Sequence, residues 1–219
     1  KEVFEKSIDL KSNNPDAYFN LGLISLENDN LLESIKYFEK SIEYNNRFYQ
    51  AYYNLGIVFD LIGNNKESAK NYKRTLEINI NHIKALNNLA TLYINSNKND
   101  EALELLKRCI QIDPSYAQAL TNLGVVLQDK NNFSESLLFY EKAIKTNPSF
   151  VKAIVQKLFI KRKICDWSNQ SEDFKQLTLI NESIEEATPW QLLPLDDNPH
   201  NEYIRAKKYA KQFNILREK

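Results

Sequence analysis

Hydrophobic residues recur along this chain at intervals of three and four positions, which is the spacing of amphipathic helices. One such stretch contains Leu103, Leu106, Cys109 and Ile110. Short polar segments separate the stretches and predict turns; they are Asn28-Asp29-Asn30, Gly63-Asn64-Asn65, Ser96-Asn97-Lys98-Asn99 and Asn131-Asn132. Apolar and polar residues do not alternate with period two over a useful length. The pattern therefore predicts helices joined by short turns, and no strands.

The helical pattern repeats itself every 34 residues. Four tripeptides mark the register: Asn20-Leu21-Gly22, Asn54-Leu55-Gly56, Asn88-Leu89-Ala90 and Asn122-Leu123-Gly124. A bulky residue follows at the same step in each repeat: Phe38, Tyr72, Leu106 and Tyr140. Small residues also recur, and we expect them where two helices approach closely, with Cys109 as a buried spacer. One helix pair cannot bury its apolar face alone, so successive pairs are expected to stack.

This register resembles the tetratricopeptide repeat, a helix pair of the same period with small and aromatic residues at such places. The resemblance implies an all-α, right-handed solenoid. It predicts four repeats, at 15–48, 49–82, 83–116 and 117–150. Residues 1–14 are then the second helix of a truncated preceding repeat, 151–167 a partial fifth repeat with a junction, and 168–219 a linker or cap with two further helices. A start on half a repeat indicates a piece of a longer protein.

The segment after the fourth repeat carries a narrower resemblance. Cys165-Asp166-Trp167 stands 17 residues after Pro148, ahead of an expected helix at 169–187 and of Pro194-Leu195-Asp196-Asp197. This order is similar to the junction between superhelix and catalytic region in nucleocytoplasmic O-linked N-acetylglucosamine transferases and Spindly-type O-fucosyltransferases, above all in their bacterial relatives. It implies the substrate-recognition part of a larger glycosyltransferase. In physical terms, Trp167 is expected to be a core anchor and Cys165 a small buried residue.

The chain itself is predicted not to be an enzyme. Only 52 residues follow Trp167, and the sugar-nucleotide-binding domains of the glycosyltransferase family need several hundred. No set of titratable residues has a spacing that forces a nucleophile and a base together.

The candidate binding residues lie on the first helix of each repeat, which lines the concave face in the family. Its sixth position holds an amide in every unit: Asn20, Asn54, Asn88, Asn122 and, in the fifth unit, Gln156. These residues resemble the asparagine ladder that holds the backbone of an extended polypeptide in the glycosyltransferase superhelix. An amide suits this role because it both donates and accepts hydrogen bonds. Further contacts are expected from Phe19, Tyr53, Lys84 and Asn87.

The same residues leave other functions open. The asparagines can instead bond neighbouring helices and have a structural role only. A clamp for the C-terminal carboxylates of chaperones needs five residues, of which only Asn54 and Lys84 match. A stand-alone adaptor that binds a folded partner or a helix, with no link to glycosylation, is the main alternative.

Composition and charge argue against several other classes. The chain has 29 basic and 29 acidic residues and no net charge, so it lacks the basic surplus of a nucleic-acid binder. No apolar run reaches the roughly 20 residues that cross a membrane. Two cysteines make no disulfide framework and favour the cytoplasm, and two distant histidines with four glycines predict no metal site and no phosphate loop. We therefore expect a protein or peptide partner, with no cofactor and no small-molecule substrate.

Overall fold

The computed structural model describes residues 13–169 together with 173 and 175. Residues 13–169 form nine α-helices and no strand, so the predicted all-α class is confirmed. The helices are α1 (Pro15–Glu27), α2 (Leu31–Tyr44), α3 (Tyr49–Leu61), α4 (Asn65–Ile78), α5 (Ile83–Asn95), α6 (Asn99–Ile112), α7 (Ala117–Asp129), α8 (Phe133–Thr146) and α9 (Val151–Lys163).

The helices belong to two compact units, one ending at Ile112 and the other beginning at Asp113. In the first unit, α1 packs on α2, α3 on α4 and α5 on α6, and each pair also contacts the next. In the second unit, α7 packs on α8 and α9 packs on both. The boundary falls inside the repeat predicted at 83–116, and nothing in the repeat pattern predicted it.

Glycine allows the two helices of a pair to approach closely. A Cβ atom added to Gly22 would lie 2.6 Å from the Phe38 ring, and one added to Gly56 would lie 2.6 Å from the Tyr72 ring. The third repeat has Ala90 in the place of the glycine and the smaller Leu106 in the place of the ring, and both are fully buried. These small residues therefore lie where the two helices approach closely, as the sequence predicted, and the structure adds that each of the glycines faces the bulky residue of its own repeat.

The first helix of each pair ends in the same left-handed turn. The N–H of Asn30, for example, donates to the carbonyl oxygen of Ser25 at 2.8 Å, and the equivalent bonds close the other turns. This is the Schellman pattern, in which one residue takes a positive φ. Asparagine, aspartate and glycine tolerate that conformation best. The residues with φ between 55° and 76° at this place are Asp29, Gly63, Asn97, Asn131 and Cys165.

The end of α9 corrects two expectations. Trp167 is 54% exposed and so is not a core anchor, and Cys165 is exposed rather than buried. Cys165 takes the left-handed position that ends α9, with φ 55°. The N–H of Asp166 donates to Lys161 O at 2.8 Å. The chain therefore turns at Cys165, and the side chains of Cys165 and Trp167 remain outside the core.

Two lysines replace apolar residues in α9. Lys157 and Lys161 take the register of Leu123 and Leu127, and both are buried. The Lys157 Nζ lies 3.0 Å from Asp173 Oδ1, and the Lys161 Nζ pairs with Asp173 Oδ2. A buried ammonium group requires an anionic partner, so these lysines fix Asp173 against α9.

None of the helices in the described part of the chain is both long and apolar enough to cross a membrane. The segment predicted as the second helix of a preceding repeat, 1–14, lies outside the described residues except at positions 13 and 14, which precede α1 and are not helical. The segment at 194–197 and the two helices expected within 168–219, of which one was predicted at 169–187, also lie outside the described residues, apart from positions 168, 169, 173 and 175.

Candidate peptide-binding surface

Two of the predicted ladder residues bond to their own helix in the same way. The side-chain N–H of Asn20 donates to Asp16 O at 2.8 Å, and that of Asn54 donates to Gln50 O at 2.8 Å. Both side chains are partly exposed. An asparagine side chain has two N–H groups and an oxygen, so each keeps hydrogen-bonding capacity for a ligand.

Asn88 is held by the core instead. Its side-chain N–H donates to the hydroxyl oxygen of Tyr72 at 3.3 Å. Burial raises the pKa of Tyr72 to about 12, the bond with Asn88 opposes this rise, and the charge of Asp60 adds to it. Burial also raises the pKa of the neighbouring Tyr53, and a hydrogen bond with Asn88 opposes that rise.

Asn122 has a third kind of environment, in the second unit. It is buried, with 4% of its surface exposed. Its Oδ1 accepts a hydrogen bond from the Lys152 Nζ at 2.9 Å. Gln156, on α9, is partly buried. Sequence reasoning missed Lys152, although it holds the register position of Lys84 two repeats later.

Aromatic rings border the asparagines of the first unit. Phe19 lies 5.8 Å from Phe38 and 5.0 Å from Phe48, measured between ring centroids. Tyr53 lies 6.0 Å from Tyr72 and 4.6 Å from His82. Phe19 and Tyr53 are partly buried, so each fixes one face in the core and keeps some surface for a ligand.

His82 is a site residue that the sequence did not single out. Its Nδ1 accepts a hydrogen bond from Ala85 N at 3.1 Å and so caps α5. Only the neutral imidazole can accept this bond. Burial lowers the pKa of His82, and the charge of Lys84 lowers it further. A sequence signal for His82 was available, because the same register position carries a ring in the other repeats, at Phe48, Tyr116 and Phe150.

The two remaining candidates differ in exposure. Lys84 is exposed, whereas Asn87 is buried with 7% of its surface exposed. The Asn87 carbonyl oxygen accepts a hydrogen bond from the Thr91 hydroxyl at 3.0 Å. The peptide-binding role of every ladder and flanking residue stays a prediction.

The candidate residues offer amides, aromatic rings and two ammonium groups, that of Lys84 in the first unit and that of Lys152 in the second. Among the described residues no group of three or more histidine, cysteine, aspartate or glutamate side chains could hold a metal ion. This chemistry is suited to recognition through hydrogen bonds and apolar contact. The prediction that the chain is not an enzyme stays a prediction.

Two family models match parts of the chain. One, described as tetratricopeptide repeat, matches residues 3–36. The other, described as the tetratricopeptide repeat protein 21 C-terminal ARM domain, matches residues 77–161. No curated protein sequence matches the chain.

Solved structures match over most of the chain. YrrB, described as a TPR protein with an unusual peptide-binding site, has 16% identity and a TM-score of 0.67 over 94% of this chain and 97% of its own. PilF of Pseudomonas aeruginosa has 20% identity and a TM-score of 0.72 over 92% of this chain and 91% of its own. MamA from Desulfovibrio magneticus RS-1 has 18% identity and a TM-score of 0.68 over 79% of this chain and 97% of its own.

The fold, the family models and these neighbours together support a tetratricopeptide-repeat protein. Such a fold is typical of a protein–protein interaction scaffold. The identities are low, so the likeness to solved structures establishes the fold alone.

Proposed function

We propose that the chain binds an extended polypeptide along the first helices of its first unit, through Asn20, Asn54 and Asn88. The main support is that the side chains of Asn20 and Asn54 donate the same hydrogen bond to a carbonyl oxygen of their own helix, both at 2.8 Å. Two amides with the same local geometry, one repeat apart, present equivalent groups to a ligand. A regular ligand backbone can use such a repeat.

The spacing of a polypeptide backbone fits this arrangement. Packed helices lie about 8–10 Å apart, and an extended chain advances about 3.3 Å per residue. Each repeat then meets roughly every third ligand residue. Backbone contacts do not depend on ligand side chains, so the surface tolerates many sequences. Each hydrogen bond contributes only about 0.5–1.5 kcal/mol, and several must act together with Phe19 and Tyr53.

The second unit offers a separate candidate pair, Asn122 and Gln156. Lys152 already bonds Asn122 there, so a ligand carbonyl or carboxylate would meet an ammonium group beside the amide. Lys84 and Asn87 would flank the ligand in the first unit. The fold likeness to YrrB, whose description names a peptide-binding site, makes a peptide a reasonable ligand.

We place this binding function in a larger O-glycosyltransferase. The support is the resemblance of Cys165-Asp166-Trp167, at its distance from Pro148, to the junction in that enzyme family. The chain would then hold a protein substrate in the cytoplasm for a catalytic region.

The decisive experiment compares two double variants in a binding assay with a library of labelled unstructured peptides. Asn20→Ala with Asn54→Ala should weaken binding about tenfold, which corresponds to two hydrogen bonds. The control is Asn28→Ala with Asn71→Ala. These residues make the same bond to their own helices at 2.8 Å but lie outside the ladder register.

Affinity is measured per folded molecule, with thermal melting as the check on folding. Equal affinities for the two folded double variants would contradict the proposal. Binding of a folded protein, with no binding of unstructured peptides, would favour the stand-alone adaptor.

A further inference from the structure

A lysine-lined cavity lies between α4 and the end of α5. Its volume is about 560 Å³, and it is a shallow cleft that is open to solvent. Ala69 supplies apolar surface and Tyr93 forms an aromatic wall, whereas Leu92, at the base of the cleft, is buried. The basic lining residues are Lys66, Lys70, Lys73 and Lys98.

Two of these lysines share one ring. The Lys73 Nζ lies 5.7 Å from the centroid of Tyr93, and the Lys98 Nζ lies 5.8 Å from it. Neither lysine forms an ion pair with any described residue. A ring attracts a cation only weakly, so two ammonium groups held near one ring leave a positive potential at this place.

The acidic residues nearby are already engaged. The Glu77 carboxylate, in the cavity lining, lies 2.6 Å from the Arg74 guanidinium. The Glu67 carboxylate lies 3.0 Å from the Lys70 ammonium. Positive charge therefore accumulates here in a chain whose net charge is zero.

The cavity faces a different direction from the candidate peptide-binding surface. Tyr93 follows Asn88 by five residues on α5, so their side chains point about 140° apart around the helix axis. Lys66, Lys70 and Lys73 are spaced by four and three residues and lie on one face of α4.

We infer that this cavity binds an acidic stretch of a partner polypeptide. Glutamate or aspartate side chains would lie between Lys73 and Lys98 and neutralise their charges, while the ligand chain contacts Tyr93 and Ala69. A polypeptide fits better than a nucleic acid, because the chain has no basic surplus beyond this local patch. The site is independent of the proposed peptide-binding surface.

Fluorescence anisotropy with a labelled hexaglutamate peptide tests the site, with hexaglutamine as the uncharged probe. Hexaglutamate should bind at low ionic strength, bind more weakly as salt screens the charges, and bind more tightly than hexaglutamine. Lys73→Glu with Lys98→Glu should weaken it about tenfold or more. The control, Lys40→Glu with Lys142→Glu, makes the same charge change and also removes two cations from rings.

Each outcome of these experiments either supports or overturns the proposed site. Equal weakening by the two lysine double variants would overturn the inference, since net charge alone would explain it. Weakening by Asn20→Ala with Asn54→Ala would also overturn it, because the probe would then occupy the ladder. If the lysine variants fail to fold, carbodiimide cross-linking of hexaglutamate to the unchanged protein replaces them. Links concentrated on Lys66, Lys73 and Lys98 support the site, and links spread over all lysines reject it.

Discussion

The side-chain nitrogen of Asn88 lies 3.3 Å from the hydroxyl oxygen of Tyr72 and joins the third repeat to the second. Tyr72 is fully buried, and a buried hydroxyl needs a partner. The equivalent Tyr140 finds its partner within its own helix pair, since its hydroxyl donates to Gln128 Oε1 at 3.0 Å. Asn88 is therefore a structural residue whether or not it also binds a ligand.

Asn88→Ala is expected to lower the free energy of unfolding by about 1–2 kcal/mol, because it removes the hydrogen bond that the Asn88 side chain donates to the buried Tyr72 hydroxyl. In a Tyr72→Phe background the same change should cost less, since the bond to Tyr72 is already absent and only the contact of Asn88 with Tyr53 remains to be lost. Urea unfolding of the four proteins measures the coupling. An equal cost in both backgrounds would show that the bond does not contribute to stability.

Gly22→Ala is expected to destabilise the first unit by about 1–3 kcal/mol through overpacking against Phe38. A double variant with Phe38→Leu should recover part of the lost stability. The third repeat already combines an alanine at the glycine position, Ala90, with a leucine at the ring position, Leu106. Thermal unfolding of the single and double variants tests the expectation. Phe38→Leu alone is the control. If the stability change of the double variant equals the sum of the two single changes, residues 22 and 38 do not pack against each other as described.

Acidification should weaken the first unit through His82. Its folded pKa lies below the ordinary value of 6.5, so the unfolded chain binds more protons between the two values. The stabilisation is fully present above pH 6.5 and is lost as the pH falls towards the folded pKa. Urea unfolding at pH values on both sides of 6.5 measures the loss.

His82→Asn separates this effect from the titration of carboxylates. Asparagine is a good N-cap and does not titrate, so the variant should keep the cap and lose part of the pH dependence below 6.5. His82→Ala should cost about 1 kcal/mol at neutral pH. Identical pH profiles for the wild type and the asparagine variant would exclude His82 as the source.

The two cysteines should react at very different rates. Cys165 is exposed, whereas Cys109 is fully buried and its thiol lies 3.7 Å from Ile83 O, to which it donates. Burial raises the pKa of Cys109 to about 12, and alkylation needs the thiolate. Iodoacetamide followed by mass spectrometry should label Cys165 in the folded protein and Cys109 only after denaturation. Similar rates for both would contradict the buried-spacer role.

The repeat register was sufficient to predict most of the described fold. It predicted helices joined by polar turns, and small residues where two helices approach, because these features depend on residues within one repeat. The asparagines of the turns follow the same logic, since a left-handed position favours a few residue types wherever it recurs.

The environments of the ladder residues could not be predicted in this way. One amide type at one register position contacts its own helix at Asn54, a phenol at Asn88 and an ammonium group at Asn122. The partner depends on the residue that a neighbouring helix supplies, and that residue changes between repeats. The prediction that Trp167 is a core anchor was wrong for a related reason. A large apolar side chain is buried only where the backbone directs it into the core.

The left-handed turns bear on how such a chain can change in length. The bonds that close them are backbone bonds, from Asn30 N to Ser25 O in the first case and from Asp166 N to Lys161 O in the last. Two genes cut at equivalent turns and rejoined would restore the same helix end, with every later side chain in its original phase. Losing one residue inside a helix would instead rotate all later positions by about 100°. Recombination at these turns can therefore add or remove whole repeats without disturbing the residues inside them.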